Sequence, residues 1–409
     1  MGSGHEAFAL PLLISALLLA ADIAAAPRAE PRVRLRSIAG SPSSGVARAV
    51  VVEEGALVHT ALMYPENASG DLDGAGDARV QAAHVLSSIE LALKEARTTL
   101  NNLVRLHVYV AHQSITPQID TLLAERFGAR ETKPAVTFVE TAMPRAGILV
   151  AMDAIAATAW IPEPAGAARL VAAGLPQRTA RASHAAIQPA GPFVIVSGRA
   201  APGQFDPAIR ETMAQLRGDL ESVGLTFDDV VQIKSFLGDM GSARRLESVV
   251  AESFAGGRVP PQVLTEWRRN AAPAEIELVA TALRTGETRT DVEHIEAIGD
   301  RYSRVTRANA GRPVFVSGLH GESPDPAAQV DEMFGELQRV LQEAGSDIRH
   351  LVKATYYVSD SAADDRINTI RPTIYDAQHP PAASKLFVRG TARPGKASTF
   401  DMIAVTTAR

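Results

Sequence analysis

A chain of 409 residues, 46% hydrophobic and 21% charged, can bury substantial cores and, at roughly 100–200 residues per domain, should divide into two to four domains. Its formal net charge of −5 supplies no basic field for phosphates, which argues against nucleic-acid binding as its main task. Having no cysteine, it can form no disulfide, thiolate metal site or cysteine nucleophile.

The first element is the uncharged run FALPLLISALLLAA, Phe8 to Ala21, with small residues at Ala24 to Ala26. It is short for a membrane span, which needs about 20 apolar residues, and reads as the core of a signal peptide over residues 1–26. That reading implies export to the periplasm or beyond, with no membrane contact after cleavage. The leader MGSGHEA has neither Lys nor Arg, and Pro27 follows the most obvious cleavage point. An uncleaved tether or a cytoplasmic chain therefore stays open.

From Gly55 an extended segment, GALVHTAL, precedes a helix whose apolar stripe is Ala82, Leu86, Ile89 and Leu93. A strand LVRLHVYV from Leu103, a short helix, the proline-led strand KPAVTFVE from Lys133 and a last strand ending AMDAIA follow. A proline-rich joint, WIPEPAGAA from Trp160, closes this stretch. The same succession returns as GPFVIVSG from Gly191, the stripe Ile209, Met213, Leu216 and Leu220, VVQIKSFL from Val230, VPPQVLTEW from Val259 and EIELVA ending at Ala280. After the polar joint RTGETRTD from Arg284 it returns again. Its parts are now GRPVFVSG from Gly311, the stripe Val330, Phe334, Leu337 and Leu341, LVKATYYV from Leu351, HPPAASKLF from His379 and TFDMIA ending at Ala404. The stripes and the strand valines Val104, Val231 and Val352 keep one set of offsets, so three tandem copies of one unit are expected. They span residues 36–163, 164–286 and 287–409. Each reads β-β-α-β-α-β-β, an α+β unit with two helices on one sheet face and the other face left to be buried.

The VSG strand end, the amphipathic helix, the LVKATYYVSD strand, Asn368 before a short helix, the Pro-Ala strand entry and the closing acidic-apolar strand resemble the RidA/YjgF family of enamine and imine deaminases. The third unit matches best and the first least. The resemblance implies a chorismate-mutase-like fold whose sheets face a central barrel, with a ligand cleft at each interface. Three copies would then form an intramolecular pseudo-trimer, monomeric as a chain, needing no cofactor and acting on a small molecule such as a 2-imino acid.

The family's Pro-Ala-Arg-Ser arginine, which anchors a carboxylate, aligns with Val136, with Gln262 or Val263, and with Ala383, so no copy keeps it. The glutamate that handles water is matched by Glu275, with Ala151 and Thr399 elsewhere. The cleft asparagine is matched by Asn368, with Asp120 and Glu247 elsewhere, and the cleft tyrosine aligns roughly with Ala47, His184 and Arg304. Lys385 lies two residues after Ala383 and so shares its strand face. With Arg304 it would restore positive charge to a carboxylate site in the third unit; a solvated lysine is the equal alternative. Glu275 is the candidate catalytic base, and an ordinary ion pair is the alternative for it. The expected functions are a divergent imine deaminase, or a non-catalytic protein that binds a small anionic metabolite. No H-E-x-x-H pattern suggests a metal site, no G-x-S-x-G supplies a serine nucleophile, and GDLDGAGDAR at Gly70 lacks the lysine of a P-loop.

Overall fold

The computed structural model describes residues 1–2, 32–38, 45–163, 166–254, 256–268, 271–282 and 290–407. The signal-peptide segment lies outside the described residues, and the fold below concerns the compact unit Pro31–Arg409. Among the described residues no helix is long and apolar enough to cross a membrane.

The first unit contains β1 (Arg34–Ile38), β2 (Ala49–Glu54), β3 (Ala56–Thr60), α1 (Ala78–Glu95), β4 (Leu103–Val110), α2 (Thr116–Phe127), β5 (Ala135–Glu140) and β6 (Val150–Thr158). The second runs β7 (Ala168–Leu170), β8 (Ala185–Gln188), β9 (Phe193–Arg199), α3 (Phe205–Ser222), β10 (Val230–Leu237), α4 (Ala243–Glu252), β11 (Gln262–Glu266) and β12 (Ala274–Thr281). The third runs β13 (Val292–Ile298), β14 (Tyr302–Ala308), β15 (Pro313–Leu319), α5 (Pro326–Ala344), β16 (Leu351–Val358), α6 (Ser361–Ile374), β17 (Ala382–Phe387) and β18 (Ser398–Val405). The joints expected near 163 and 287 fall between β6 and β7 and between β12 and β13. Each unit carries one strand more than its sequence suggests, because β1, β7 and β13 precede the two expected strands. These are edge strands, half-buried or exposed along much of their length, and so lack the strict alternation that reveals a strand.

The helices form where the stripes lie. Asp77, Asp325 and Asp360 cap α1, α5 and α6 by accepting from the first free backbone N–H groups. All twelve stripe residues of α1, α3 and α5 are at most 1% exposed, and each helix packs on its own unit's sheet. At about 1.5–3 kcal/mol per fully buried large apolar side chain, these stripes are a main source of each unit's stability.

Strand pairing ties the units together. One sheet has the order β5-β4-β6-β3-β8-β7, so a hairpin of the second unit extends the sheet of the first. In the same way β14 and β13 extend the second unit's sheet through β9, while β2 and β1 extend the third unit's sheet through β15. Each unit gives one hairpin and receives one, and the hairpin of residues 34–54 closes the cycle. The sheet faces away from the helices share one apolar cluster that contains Val104, Val231 and Val352 together with Ile155, Val279 and Ile403. The uncovered faces thus bury one another.

Candidate functional site

Hairpin exchange decides which residues can meet. The parallel pairs set Leu106 opposite Val136, Ile233 opposite Gln262 and Ala354 opposite Ala383. Since Val104, Val231 and Val352 are equivalent, Gln262 rather than Val263 occupies the second unit's arginine position. The antiparallel partners Tyr109–Ala151, Phe236–Glu275 and Tyr357–Thr399 make those three acid positions equivalent. Pairing also sets Ala49, Ala185 and Val305 level, so Arg304 matches His184 and Arg48, and Ala47 is displaced by one residue from the alignment read in the sequence. A one-residue shift on a strand turns a side chain to the opposite face.

Each seam is built from two units. Ala151 and Val136, both of the first unit, therefore serve different seams. Gly318 of the third unit abuts Val136, where a Cβ on the glycine would lie 2.2 Å from the Val136 carbonyl oxygen. Asp120 is bound there by Arg393 of the third unit.

The seam between the second and third units holds Glu275 and Arg304, two of the four residues singled out in the sequence. Glu275 on β12 is half-buried, and a Cβ placed on Gly198 would overlap its carboxyl group. Loss of water and the neighbouring Glu277 push its pKa up to about 7, against the pull of Lys353, Ser384 and Arg304. Arg304 on β14 is 8% exposed and lies over the Tyr302 ring at 5.5 Å. Its Nη1 donates to the Gly198 carbonyl at 3.5 Å, and its Nε is buried without a partner. Ser197 fastens the seam, with Oγ accepting from the Ala383 N–H at 3.1 Å and donating to the Ser303 carbonyl at 2.7 Å. Glu275, Gly198 and Ala383 are all half-buried, which leaves this groove open to solvent.

Lys385 and Asn368 meet each other but stand apart from that pair. The Lys385 ammonium donates to Asn368 Oδ1 at 2.7 Å and lies 2.6 Å from Asp364 Oδ1. Alternation along β17 puts Ser384, which donates to Glu277 at 2.6 Å, on the opposite face. Lys385 thus carries a carboxylate partner from α6 that the sequence reading did not include. Burial lowers its pKa, with Asp364 opposing the shift.

A buried charged layer lies near the axis and was missed in the sequence. His107 Nδ1 is 3.0 Å from Asp153 and Nε2 is 2.9 Å from Asp401, while Arg105 reaches Asp401 at 3.3 Å and Lys353 reaches Glu277. Positive neighbours, first Arg105, hold the Asp401 carboxyl well below its ordinary range despite its burial. Asp153, Glu277 and Asp401 occupy equivalent places in the three closing strands, so the repeat register could have revealed them. Among the described residues no group of side chains is arranged to hold a metal ion.

The seam between the first and second units encloses a cavity lined by Tyr64, Glu66, Arg178, Glu247 and Gln262, with His184 at its wall. The three second-unit positions that the family alignment matched to cleft residues, His184, Glu247 and Gln262, come together here.

The profile of the family described as endoribonuclease L-PSP matches residues 44–158, 175–284 and 293–404. Over 118 residues the chain is 30% identical to Protein DfrA of Myxococcus xanthus, covering 27% of this chain and 88% of that protein. Over 81 residues it is 33% identical to a RutC family protein of Pyrococcus abyssi, covering 20% of this chain and 62% of that one. A solved YjgF family protein from Neisseria meningitidis is 27% identical, matched over 30% of this chain and 100% of its own, with a TM-score of 0.23. A member of the YjgF/YER057c/UK114 family from Mycobacterium tuberculosis is 24% identical over 26% of this chain and 86% of its own, with a TM-score of 0.22.

Proposed function

Since the chain belongs to the endoribonuclease L-PSP (YjgF/Rid) family and carries three copies of its domain, we propose that it hydrolyses small 2-imino acids at the seam between its second and third units. The observation that carries this reading is that Glu275 and Arg304 border the same glycine across that seam, Arg304 donating to the Gly198 carbonyl and the Glu275 carboxyl filling the space a Gly198 Cβ would take. An imine becomes a ketone when water adds to the C=N carbon and ammonia leaves. The ionised Glu275 carboxyl takes a proton from the attacking water and passes it to nitrogen, giving a carbinolamine; it then takes the carbinolamine hydroxyl proton and delivers it to nitrogen as the C–N bond breaks, releasing ammonia and the 2-oxo acid. Arg304 takes the substrate carboxylate in place of the arginine missing at Ala383, because its planar fork can give two parallel charge-assisted hydrogen bonds.

The test supplies 2-imino acids in situ from an amino-acid oxidase and follows 2-oxo acid formation above the spontaneous rate. Catalysis by wild type should fall by roughly 100-fold or more in Glu275→Gln, the usual scale for losing a general base. Its ionisation should make the wild-type rate rise with pH through about 7. Val136, Gln262 and Ala383 at the three arginine positions favour the second reading, a non-catalytic binding protein. A wild-type rate equal to the spontaneous one would leave that reading in place.

A further inference from the structure

Behind Glu275 lies a buried ion pair with a hydroxyl between its partners. Glu277 is two residues from Glu275 on β12 and so shares its strand face. Lys353 of β16 donates to Glu277 and, at 3.0 Å, to the Ser384 hydroxyl of β17, which itself donates to Glu277 Oε2 at 2.6 Å. Glu277, Lys353 and Ser384 are each at most 4% exposed. Ser384 is also a hydrogen-bonding neighbour of the Glu275 carboxyl. A serine hydroxyl has one proton to give, so while it serves Glu277 it cannot serve Glu275.

The other two seams supply the comparison. Strand register makes Lys353 equivalent to Arg105 and Gln232, and Ser384 equivalent to Thr137 and Val263. Where the acid position is Ala151, the places of the cation and the hydroxyl fall to Gln232 and Val263. Where it is Thr399, Arg105 reaches Asp401 at 3.3 Å, but Thr137 Oγ1 is taken by the Gly318 N–H at 3.1 Å. Among these three sets of described residues, only the one beside Glu275 joins a cation, a carboxylate and a hydroxyl to an acid.

The groups that face Glu275 are Glu277 on its own strand, Lys353 on β16, Arg304 on β14 and Ser384 on β17. Lys234 on β10 faces Glu277, and Arg199 on β9 is turned to Asp219 of α3. Although burial disfavours its charge, Lys353 and Lys234 hold the Glu277 carboxyl below its ordinary range. Glu277 is therefore a fixed negative charge next to an acid that titrates.

We propose that Glu277, Lys353 and Ser384 are positioning residues for Glu275: the ion pair fixes the charge beside it, and the Ser384 hydroxyl turns from Glu277 to Glu275 when Glu275 ionises. The turned hydroxyl holds one oxygen of the ionised carboxyl and leaves the other for the attacking water. Its consequence for rate rests on the hydrolytic function proposed above, whereas its effect on the Glu275 proton does not.

Carbon-13 NMR of the side-chain carboxyl groups, titrated against pH in the substrate-free full chain, reads the Glu275 midpoint, with Glu275→Gln assigning the signal. Wild type should titrate near pH 7. Glu277→Gln removes the like charge and frees Lys353, so the midpoint should fall by at least about one pH unit, a tenfold change in proton affinity. Ser384→Ala removes a donor to the ionised form, so the midpoint should rise by about half a unit or more. Ser384→Thr, which keeps the hydroxyl, should restore the wild-type midpoint. In the 2-imino acid assay Ser384→Ala should lower kcat at least about fivefold while KM changes less than about twofold. An unmoved midpoint in Ser384→Ala, or shifts of the same sign in Ser384→Ala and Glu277→Gln, would overturn the proposal. Should Glu277→Gln fail to fold, a Ser384→Thr midpoint that follows Ser384→Ala rather than wild type would overturn it. Opposite shifts in a chain that hydrolyses no imine would support the network and refute the hydrolytic function instead.

Discussion

Glu275 stays protonated to higher pH in the folded chain than in an unfolded one, because burial and Glu277 disfavour its charge. Between the ordinary glutamate range and about 7 the folded state binds the extra proton, so this residue makes stability fall as pH rises across that window. Glu275→Gln should remove the slope and exceed wild type by about 1–3 kcal/mol above pH 7, measured by urea titration at several pH values. Arg304 and Lys385 separate the two candidate anchors. Arg304→Ala should raise KM for a 2-imino acid at least about tenfold, and Arg304→Lys should recover part of it as a point charge without the fork. Lys385→Ala should change KM less than about twofold and stability by no more than about 1 kcal/mol, since its partner is the partly exposed Asp364. A larger KM change in Lys385→Ala than in Arg304→Ala would reverse the assignment.

Strands β9 and β15 end in the same Ser-Gly pair, and the glycines answer to different constraints. Gly318 has φ of +68°, and its missing Cβ leaves room for the backbone of Val136 in the first unit, which cannot move without shifting β5. Gly318→Ala should therefore cost about 2–4 kcal/mol by denaturant titration, combining a left-handed backbone with an overlap at a unit seam. At Gly198 the added Cβ would meet the end of the Glu275 side chain instead, a group that can swing away. Gly198→Ala should accordingly spare most of the stability and lower imine hydrolysis by displacing the carboxyl. Equal stability losses at the two glycines would contradict this division.

On the scale of the whole chain, three hairpins pass cyclically between units and close a ring around one apolar cluster. Among the described residues the three sheet faces turned from the helices bury one another, so we expect a monomeric pseudo-trimer. Sedimentation should give a single species near 43.3 kDa. An obligate assembly of chains, or scattering from independently moving domains, would refute it.

Much of this architecture was legible in the sequence. The helical stripes, the strand valines and the prolines ahead of β5, β11 and β17 recur in register because each unit must solve the same local problem of covering one sheet face. Glu275, Arg304 and Asn368 could be named from the family resemblance and Lys385 from strand alternation, but their partners could not. Glu275 and Arg304 come to border the same Gly198 because β14 pairs with β9, a contact between strands of different units that no local periodicity records. Asp364 takes Lys385 through the packing of α6 on β17, and the parallel register of β10 with β11 assigns Gln262 its place. The cavity polar groups span Tyr64 to Gln262 and converge only after the second unit's hairpin joins β3. Sequence determined the units and their faces because burial acts along each segment. The seams were left to tertiary structure, because charge pairing and cavity lining depend on which distant strands share an edge.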